Sequence, residues 1–340
     1  MSNDANDLGW IAAGGDPRSL GRALGMAGRD AVHRHLLSAR IWQRVNDPAN
    51  AEGLARMIAT VQARFPTIWA EIEGLAEGLH LPVHQVMAWN CRGDLLASVP
   101  DGCTTVMLPG PTPVLAHNED GLPFFRGASF IAEVTPERGP GFHAFCYPGS
   151  IPGHTFAVTR AGLVQTVNNI RLVGVHADTP RMVLGRAVLA APDIESALSV
   201  LRASPNSGGF HFALSHMADR RIVSVEFGRG EVSVRVIDAP SVHANHALHH
   251  ASGCADQIVT PSSRDRQARG TALLAQGRAD PLVLLRDTGG SGLPIRRDAA
   301  DDPDEENTLA TAVFHVTQEG IQWSIYDQRS DPATYAGKTA

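Results

Sequence analysis

Through the first hundred positions apolar residues recur at steps of three and four; after that they fall into short β-type runs. Following the turn Gly14-Gly15-Asp16-Pro17, the spacing predicts a helix over 18–44. A second helix begins near Asn50 and carries Leu54, Ile58, Val61, Phe65, Trp69, Ile72, Leu75 and Leu79 on one face. Pro66 lacks an amide hydrogen and should bend or split it. A third follows Pro82, with Val83, Val86, Met87 and Cys91 inward.

From Thr104 the pattern predicts strands at 104–108, 114–118, 129–134, 143–147, 155–159 and 163–168. Further strands are expected at 211–217, 222–227, 232–237 and 241–245, with helices at 181–190, 194–203 and 264–276. A hairpin, 309–317 with 321–327, closes the chain. No repeat or Pro/Gly/Ser linker divides it. A single domain over 1–340, built of sheets covered by helices, is the expectation.

Composition narrows the function. The chain has 340 residues, 43% of them hydrophobic and 19% charged, enough to bury a substantial core. A net charge of −6 argues against a nucleic-acid-binding surface. No apolar run approaches the ~20 residues of a membrane helix. Residues 1–7 are acidic and lack the regions of a secretory signal, so a cytoplasmic location is expected. Four cysteines show no metal-type pairing and read as free thiols, and no cofactor is expected.

The most informative stretch is Asp101-Gly102-Cys103-Thr104-Thr105. Gly102 has no Cβ and tolerates the unusual backbone angles that bring a following sulfur onto its carbonyl. If that bond breaks, Cys103 becomes an N-terminus whose α-amine, with a pKa of roughly 7.7–8.0, can take the thiol proton. Cys91 and Cys146 lie in apolar patterns and read as small core residues. Cys254, in a polar loop, reads as a surface thiol.

Four other features carry candidate chemistry. Val114-Leu115-Ala116-His117-Asn118-Glu119-Asp120 reads as the hairpin partner of the strand starting at Cys103, which returns Asp120 to that end. There Asp120 either orients the amine or caps a turn. His243, His246, His249 and His250 invite a zinc reading, but strand alternation splits His243 and Asn245 from His246. The Asn245 amide suits an oxyanion hole. Arg266 is either a surface helix cation or an inward one that stabilises a site carboxylate or lowers the thiol pKa.

Three features read as structural. Gly21-x-x-x-Gly25-x-x-Gly28 lacks a phosphate-loop ending and reads as close helix packing. The acidic run 298–306 reads as a solvated loop. Trp10, Phe124, Phe125 and Phe156 fit an acyl pocket and core packing equally well.

Taken together, these segments resemble the acyl-CoA:6-aminopenicillanic acid acyltransferase family, the cysteine-type N-terminal nucleophile (Ntn) hydrolases. The likeness runs from Gly15-Asp16-Pro17, Gly21 and Gly25 through Phe65-Pro66 and Glu71-Ile72-Glu73-Gly74-Leu75-Ala76 to the Asp-Gly-Cys-Thr-Thr stretch. It resumes at Asn118-Glu119-Asp120, Val225-Glu226-Phe227, His243-Ala244-Asn245-His246 and Ser263-x-x-Arg266. It implies an α+β fold, a four-layer αββα sandwich with a helical N-terminal segment. It also implies self-cleavage between Gly102 and Cys103, giving fragments 1–102 and 103–340 that remain a heterodimer, with room for a higher homo-oligomer. By motif, Cys103 is the nucleophile, Asp120 orients its amine, Asn245 donates to the oxyanion, Arg266 braces the site and Thr105 assists processing. Thr159 stands where many relatives carry an Asn, and Asn168 or Asn169 is the alternative second donor. Arg296 stands in Ile295-Arg296-Arg297 where relatives often have Cys-Arg.

The expected reaction is hydrolysis of a linear amide of an N-acyl or aminoacyl amine, a small molecule, through a Cys103 thioester. The alternative passes the acyl group from acyl-CoA or another donor to an amine. A different class of reading is a histidine-rich metal-binding protein.

Overall fold

The structure, a computed structural model, describes residues 8–99, 102–327 and 332–339. Asp101 and the acidic residues 1–7 lie outside them. The chain opens with strand β1 (Gly9–Gly15) and helices α1 (Pro17–Ala31), α2 (Arg40–Val45), α3 (Ala51–Arg64), α4 (Pro66–Leu79), α5 (Val83–Asn90) and α6 (Arg92–Leu95). Strands follow as β2 (Gly102–Leu108), β3 (Val114–Gly121), β4 (Phe130–Pro136), β5 (Phe142–Cys146), β6 (Ala157–Thr159) and β7 (Leu163–Ile170). Next come α7 (Arg181–Val188), α8 (Ile194–Arg202), β8 (Gly209–His216), β9 (Ile222–Gly228), β10 (Glu231–Val236) and β11 (Ser241–His243). The last elements are α9 (Ala251–Ala255), α10 (Pro261–Ala275), α11 (Pro281–Leu285), β12 (Asn307–Thr317), β13 (Gly320–Tyr326) and β14 (Tyr335–Thr339).

Two sheets stack face to face. One runs β1-β4-β5-β6-β7-β8-β9-β10 and the other β11-β2-β3-β12-β13-β14. β2 and β3 pack across the gap on β7, while α1 and α8 cover the first sheet, α4 packs on α1 and α7, α7 packs on α8, and α10 and α11 cover the second sheet. This is the four-layer αββα sandwich. Period-2 alternation in β2 and β3 therefore faces alternate side chains into the gap between the sheets or against α10 and α11. No helix among the described residues is long and apolar enough to cross a membrane.

Pro66 splits the second expected helix into α3 and α4, since its ring cannot continue the α3 hydrogen-bond ladder. The first expected helix is also broken. A π-turn, Val32–Leu36, follows α1, and its wider winding keeps both Val32 and Leu36 buried. The backbone then extends at Ala39 before α2. β1 lies where the periodicity gave no strand, because Gly-Trp-Ile-Ala-Ala-Gly-Gly has few β-branched residues; it pairs in parallel with β4 at the sheet edge.

The small-residue run packs as read at Gly21 and Gly25, whereas Gly28 lies against the turn at Pro148-Gly149. Cβ atoms built on Gly21 and Gly25 would meet the α4 backbone at 2.7 Å (Leu75 N) and 2.9 Å (Gly78 Cα). From the other side, Gly74 would meet Arg18 C at 2.8 Å and Gly78 would meet Met26 N at 2.8 Å. Helices α1 and α4 thus touch backbone to backbone.

Candidate active site

The β2–β3 hairpin sets the site. Its register pairs Gly102 with Asp120, Cys103 with Glu119, Thr104 with Asn118 and Thr105 with His117. Directly paired residues share a face. Cys103, Thr105, His117 and Glu119 therefore project between the sheets, whereas Gly102, Thr104, Asn118 and Asp120 belong to the face covered by α10 and α11. Cys103 is 3% exposed in the unbroken chain.

The backbone of Cys103 is gripped on both sides. Its N–H donates to Asn245 Oδ1 at 2.8 Å, and its carbonyl accepts from Arg266 Nη1. Arg266, buried on α10, also donates to Thr104 Oγ1 (2.9 Å), Asn245 Oδ1 (2.6 Å) and Ser262 Oγ (3.0 Å). Burial holds its pKa down, against the opposing pull of Asp120 and Glu306. Asn245 is turned the other way from an oxyanion donor. Two N–H groups fix its oxygen toward Cys103, and its Nδ2 donates to Asn169 O at 3.1 Å.

Two carboxylates flank the Gly102 side. Asp120 Oδ1 accepts from Thr308 Oγ1 at 2.6 Å, and its buried Oδ2 has no hydrogen-bond partner among the described residues. Glu306 went unnoticed in the sequence because it ends the acidic run read as solvated. That reading needs correction: Glu306 and Asp302 bury their carboxylates on the Arg297 guanidinium, and Arg171 meets Glu306 at 3.4 Å. Burial raises Glu306 to about 7, although Arg171, Arg297 and Arg266 oppose it. Gly102 is the first residue of β2. The need for glycine there is one of space and is set by these carboxylates.

Between the sheets runs a polar chain in which sequence reasoning named Cys103, Thr105 and Asn168 but missed His117, Glu119 and Tyr147. Cys103 Sγ lies 3.7 Å from Glu119 Oε2, which meets His117 Nε2 at 3.0 Å, while Tyr147 donates to Glu119 Oε1 at 2.6 Å. His117 Nδ1 reaches Thr105 Oγ1 (2.9 Å), and Thr105 donates to Asn168 Oδ1 (2.7 Å). Asn168 Oδ1 also meets His211 Nδ1 (2.9 Å), and its Nδ2 donates to His243 O (3.1 Å). Burial, then the Arg266 charge, pushes His117 down to about 3, so it is a neutral imidazole. The signal lay in the hairpin itself: a register opposing Gly102 to Asp120 puts 117 and 119 on the thiol's face.

Among the described residues, Cys103, His117 and Glu119 are the group whose ligand-type atoms all fall within 4.8 Å of one another. Here the His117 and Glu119 atoms face each other. The cluster at 243–250 does not converge. His243 meets Glu226 (2.8 Å), His246 meets Ser263 (2.8 Å), His249 meets Ser224 and Ser233, and His250 meets Gly228 O (3.0 Å). Thr159 Oγ1 accepts from Leu163 N and so braces the β6–β7 turn. Phe125 and Phe156 are core residues, the latter packed edge-on against His117. Cys91 and Cys146 are buried, and burial raises both thiol pKa values. A cleft of about 260 Å³ opens beside the start of β2, lined by Arg40, Arg44, Val99, Arg171, Thr260 and Glu306 among others.

Residues 107–330 match the family model described as acyl-coenzyme A:6-aminopenicillanic acid acyl-transferase. The chain belongs to that family. It is accordingly an enzyme, and the matched segment contains Asp120, Asn245 and Arg266 and begins just past Cys103 and Thr105. Among curated proteins, family resemblance extends to the beta-alanyl-dopamine/carcinine hydrolase of Drosophila melanogaster, 22% identical over an alignment of 304 positions that covers 79% of this chain and 78% of that protein. Two variants of the conjugated bile acid hydrolase from Clostridium perfringens align at 12% identity and a TM-score of 0.43, over 69% of this chain and 92% of theirs.

Proposed function

We propose that this family member is a self-processing cysteine amidohydrolase whose substrates are amides of an acyl or aminoacyl group with a small amine. The observation that carries the reading is the double grip on Cys103, with its nitrogen on Asn245 Oδ1 and its carbonyl on Arg266, at the first residues of a buried strand. In maturation Sγ attacks the Gly102 carbonyl carbon, the C–N bond breaks, and water hydrolyses the resulting thioester. Residues 1–102 and 103–340 then stay together as two fragments of one fold.

The freed α-amine keeps its hydrogen bond to Asn245 Oδ1 and becomes the base for the thiol. In turnover Sγ attacks the substrate carbonyl, the α-ammonium protonates the leaving amine, and water resolves the thioester. Asp120, with one buried oxygen that has no partner among the described residues, is the carboxylate that would orient that ammonium. The aminoacyl preference is supported by the β-alanyl compounds in the name of the fly relative.

Intact mass of the wild type and Cys103→Ala tests the first half. Two fragments meeting at Gly102/Cys103 are expected for the wild type and a single chain for the variant. A wild type that hydrolyses amides while remaining one chain would refute the α-amine scheme. Amine release from β-alanyl-dopamine, carcinine and simple N-acyl amines tests the second half. The family's description favours one other reading, transfer of an acyl group from acyl-CoA to an amine. Amide product forming faster than free acid, when acyl-CoA and an amine are supplied together, would select it.

A further inference from the structure

While residue 103 is still in the chain its nitrogen is an amide, so the base used in turnover does not yet exist. The hydrogen positions around His117 indicate what replaces it. The His243 carbonyl can only accept, which fixes Asn168 with Nδ2 toward it and Oδ1 toward Thr105. Thr105 has one hydroxyl hydrogen and directs it at Asn168 Oδ1, 2.7 Å away. Thr105 must then accept from His117, so His117 carries its hydrogen on Nδ1. That leaves the Nε2 lone pair of a neutral imidazole 3.0 Å from Glu119 Oε2. Two lone pairs do not face each other at that distance in a buried site unless a proton lies between them.

On this accounting, and resting on the self-processing reading above, we propose that Glu119 and His117 share one proton and together act as the base that takes the Cys103 thiol proton during maturation. The thiol lies 3.7 Å from the shared oxygen, Oε2. As Sγ bonds to the Gly102 carbonyl carbon, the S–H proton passes to Oε2 and the proton already there moves to His117 Nε2. As the Gly102–Cys103 C–N bond breaks, the pair returns one proton to the departing nitrogen, leaving thioester and amine. Water then gives the Gly102 carboxyl and the Cys103 thiol. Glu119 touches the reacting sulfur and is catalytic in this step. His117 acts through it, and Thr105 and Asn168 fix the His117 tautomer.

Isosteric and shortened variants separate proton transfer from architecture. Glu119→Gln keeps the shape, can donate N–H to His117 Nε2 and can accept from Tyr147, but cannot relay a proton. Glu119→Asp keeps the acid and shortens its reach. Processing in the full chain, followed by intact mass against time, should slow by about 100-fold or more in Glu119→Gln and by clearly less in Glu119→Asp. The reverse ranking, or Glu119→Gln processed at the wild-type rate, overturns the proposal. Should Glu119→Gln lose its cooperative melt, His117→Asn substitutes for it. That variant can supply the N–H to Thr105 but offers nothing to take the Glu119 proton; slow processing supports the relay and normal processing refutes it. A wild type that never splits would instead sink the self-processing reading.

Discussion

Gly102 and Glu306 leave no room for a side chain between them. A Cβ on Gly102 would overlap Glu306 Oε2, lie 3.0 Å from Glu306 Cδ and approach Asp120 Cβ to 3.2 Å. The Glu306 carboxylate cannot simply swing aside, because Arg171 and Arg297 hold it. Gly102→Ala should therefore displace the scissile carbonyl and slow processing by about ten-fold or more. Glu306→Ala should relieve part of that defect in the double variant. Fragment appearance by intact mass reads both, and an undiminished defect in the double variant would remove Glu306 as the obstacle.

Glu306 also gives the fold a pH dependence of defined sign. Its carboxyl is raised from 4.5 to about 7, chiefly by burial. A raised acid contributes stability that is fully present below pH 4.5 and is lost as pH rises through 7. Glu306→Gln, neutral at every pH, should gain on the wild type by on the order of 3 kcal/mol across that window. Urea unfolding of Cys103→Ala backgrounds at pH 4.5, 6 and 8 measures it. A constant difference across the three would mean that the Arg171 and Arg297 charges fully offset the burial.

Glu226 works in the opposite direction. Burial alone would raise it, but His243 and the amides of Leu248, His249 and His250 outweigh that and hold it at about 2. Its contribution is present above pH 4.5 and lost as pH falls through 2. The loss, on the order of 3 kcal/mol, should be reduced in Glu226→Gln, whose stability is lower at neutral pH and flatter in acid. The same substitution loosens the segment carrying Asn245, so processing should slow as well. Acid titration of the tryptophan fluorescence transition checks the first expectation.

How far the sequence exposed this site follows from which interactions are local. The hairpin from Gly102 to Asp120 was legible because both strands and their turn lie within twenty residues and alternate. The inward turn of Arg266 was legible from motif order, and the helix contact of Gly21 and Gly25 from their spacing within a helix. Glu306 was not, since an acidic run reads as solvated unless one knows that Arg171 and Arg297 meet it in the fold. β1 was not, since its pairing with β4 comes from residues far along the chain. Asn245 was singled out for its amide, but its orientation depends on two donors that only the folded site brings together.

Thr105 offers a finer test of the intersheet hydrogen bonds. Thr105→Val keeps the shape, removes the acceptor for His117 Nδ1 and leaves Asn168 Oδ1 one donor short. A buried group left unpaired costs about 1–3 kcal/mol, so the variant should melt lower and process more slowly. Thr105→Ser restores the hydroxyl and should recover most of both. Recovery of stability without recovery of processing would place the role of Thr105 in something other than its hydroxyl.

Two glycines in the helical layer should respond to the same substitution with opposite signs. Gly21 sits where α1 meets α4, and an added methyl would penetrate the Glu71 carbonyl region and come within 2.7 Å of Leu75 N. Neither neighbour is a movable side-chain tip, so Gly21→Ala must separate two helices, at a cost of about 3 kcal/mol or more. Gly53 lies inside α3 with nothing nearer than 3.8 Å to its built Cβ, and that neighbour is the tip of Arg56. There alanine removes backbone freedom from the unfolded chain without a clash, and Gly53→Ala should stabilise by roughly 0.5–1 kcal/mol. Paired denaturant melts on a Cys103→Ala background decide the matter. Equal small effects at both positions would mean that α1 and α4 are not in backbone contact.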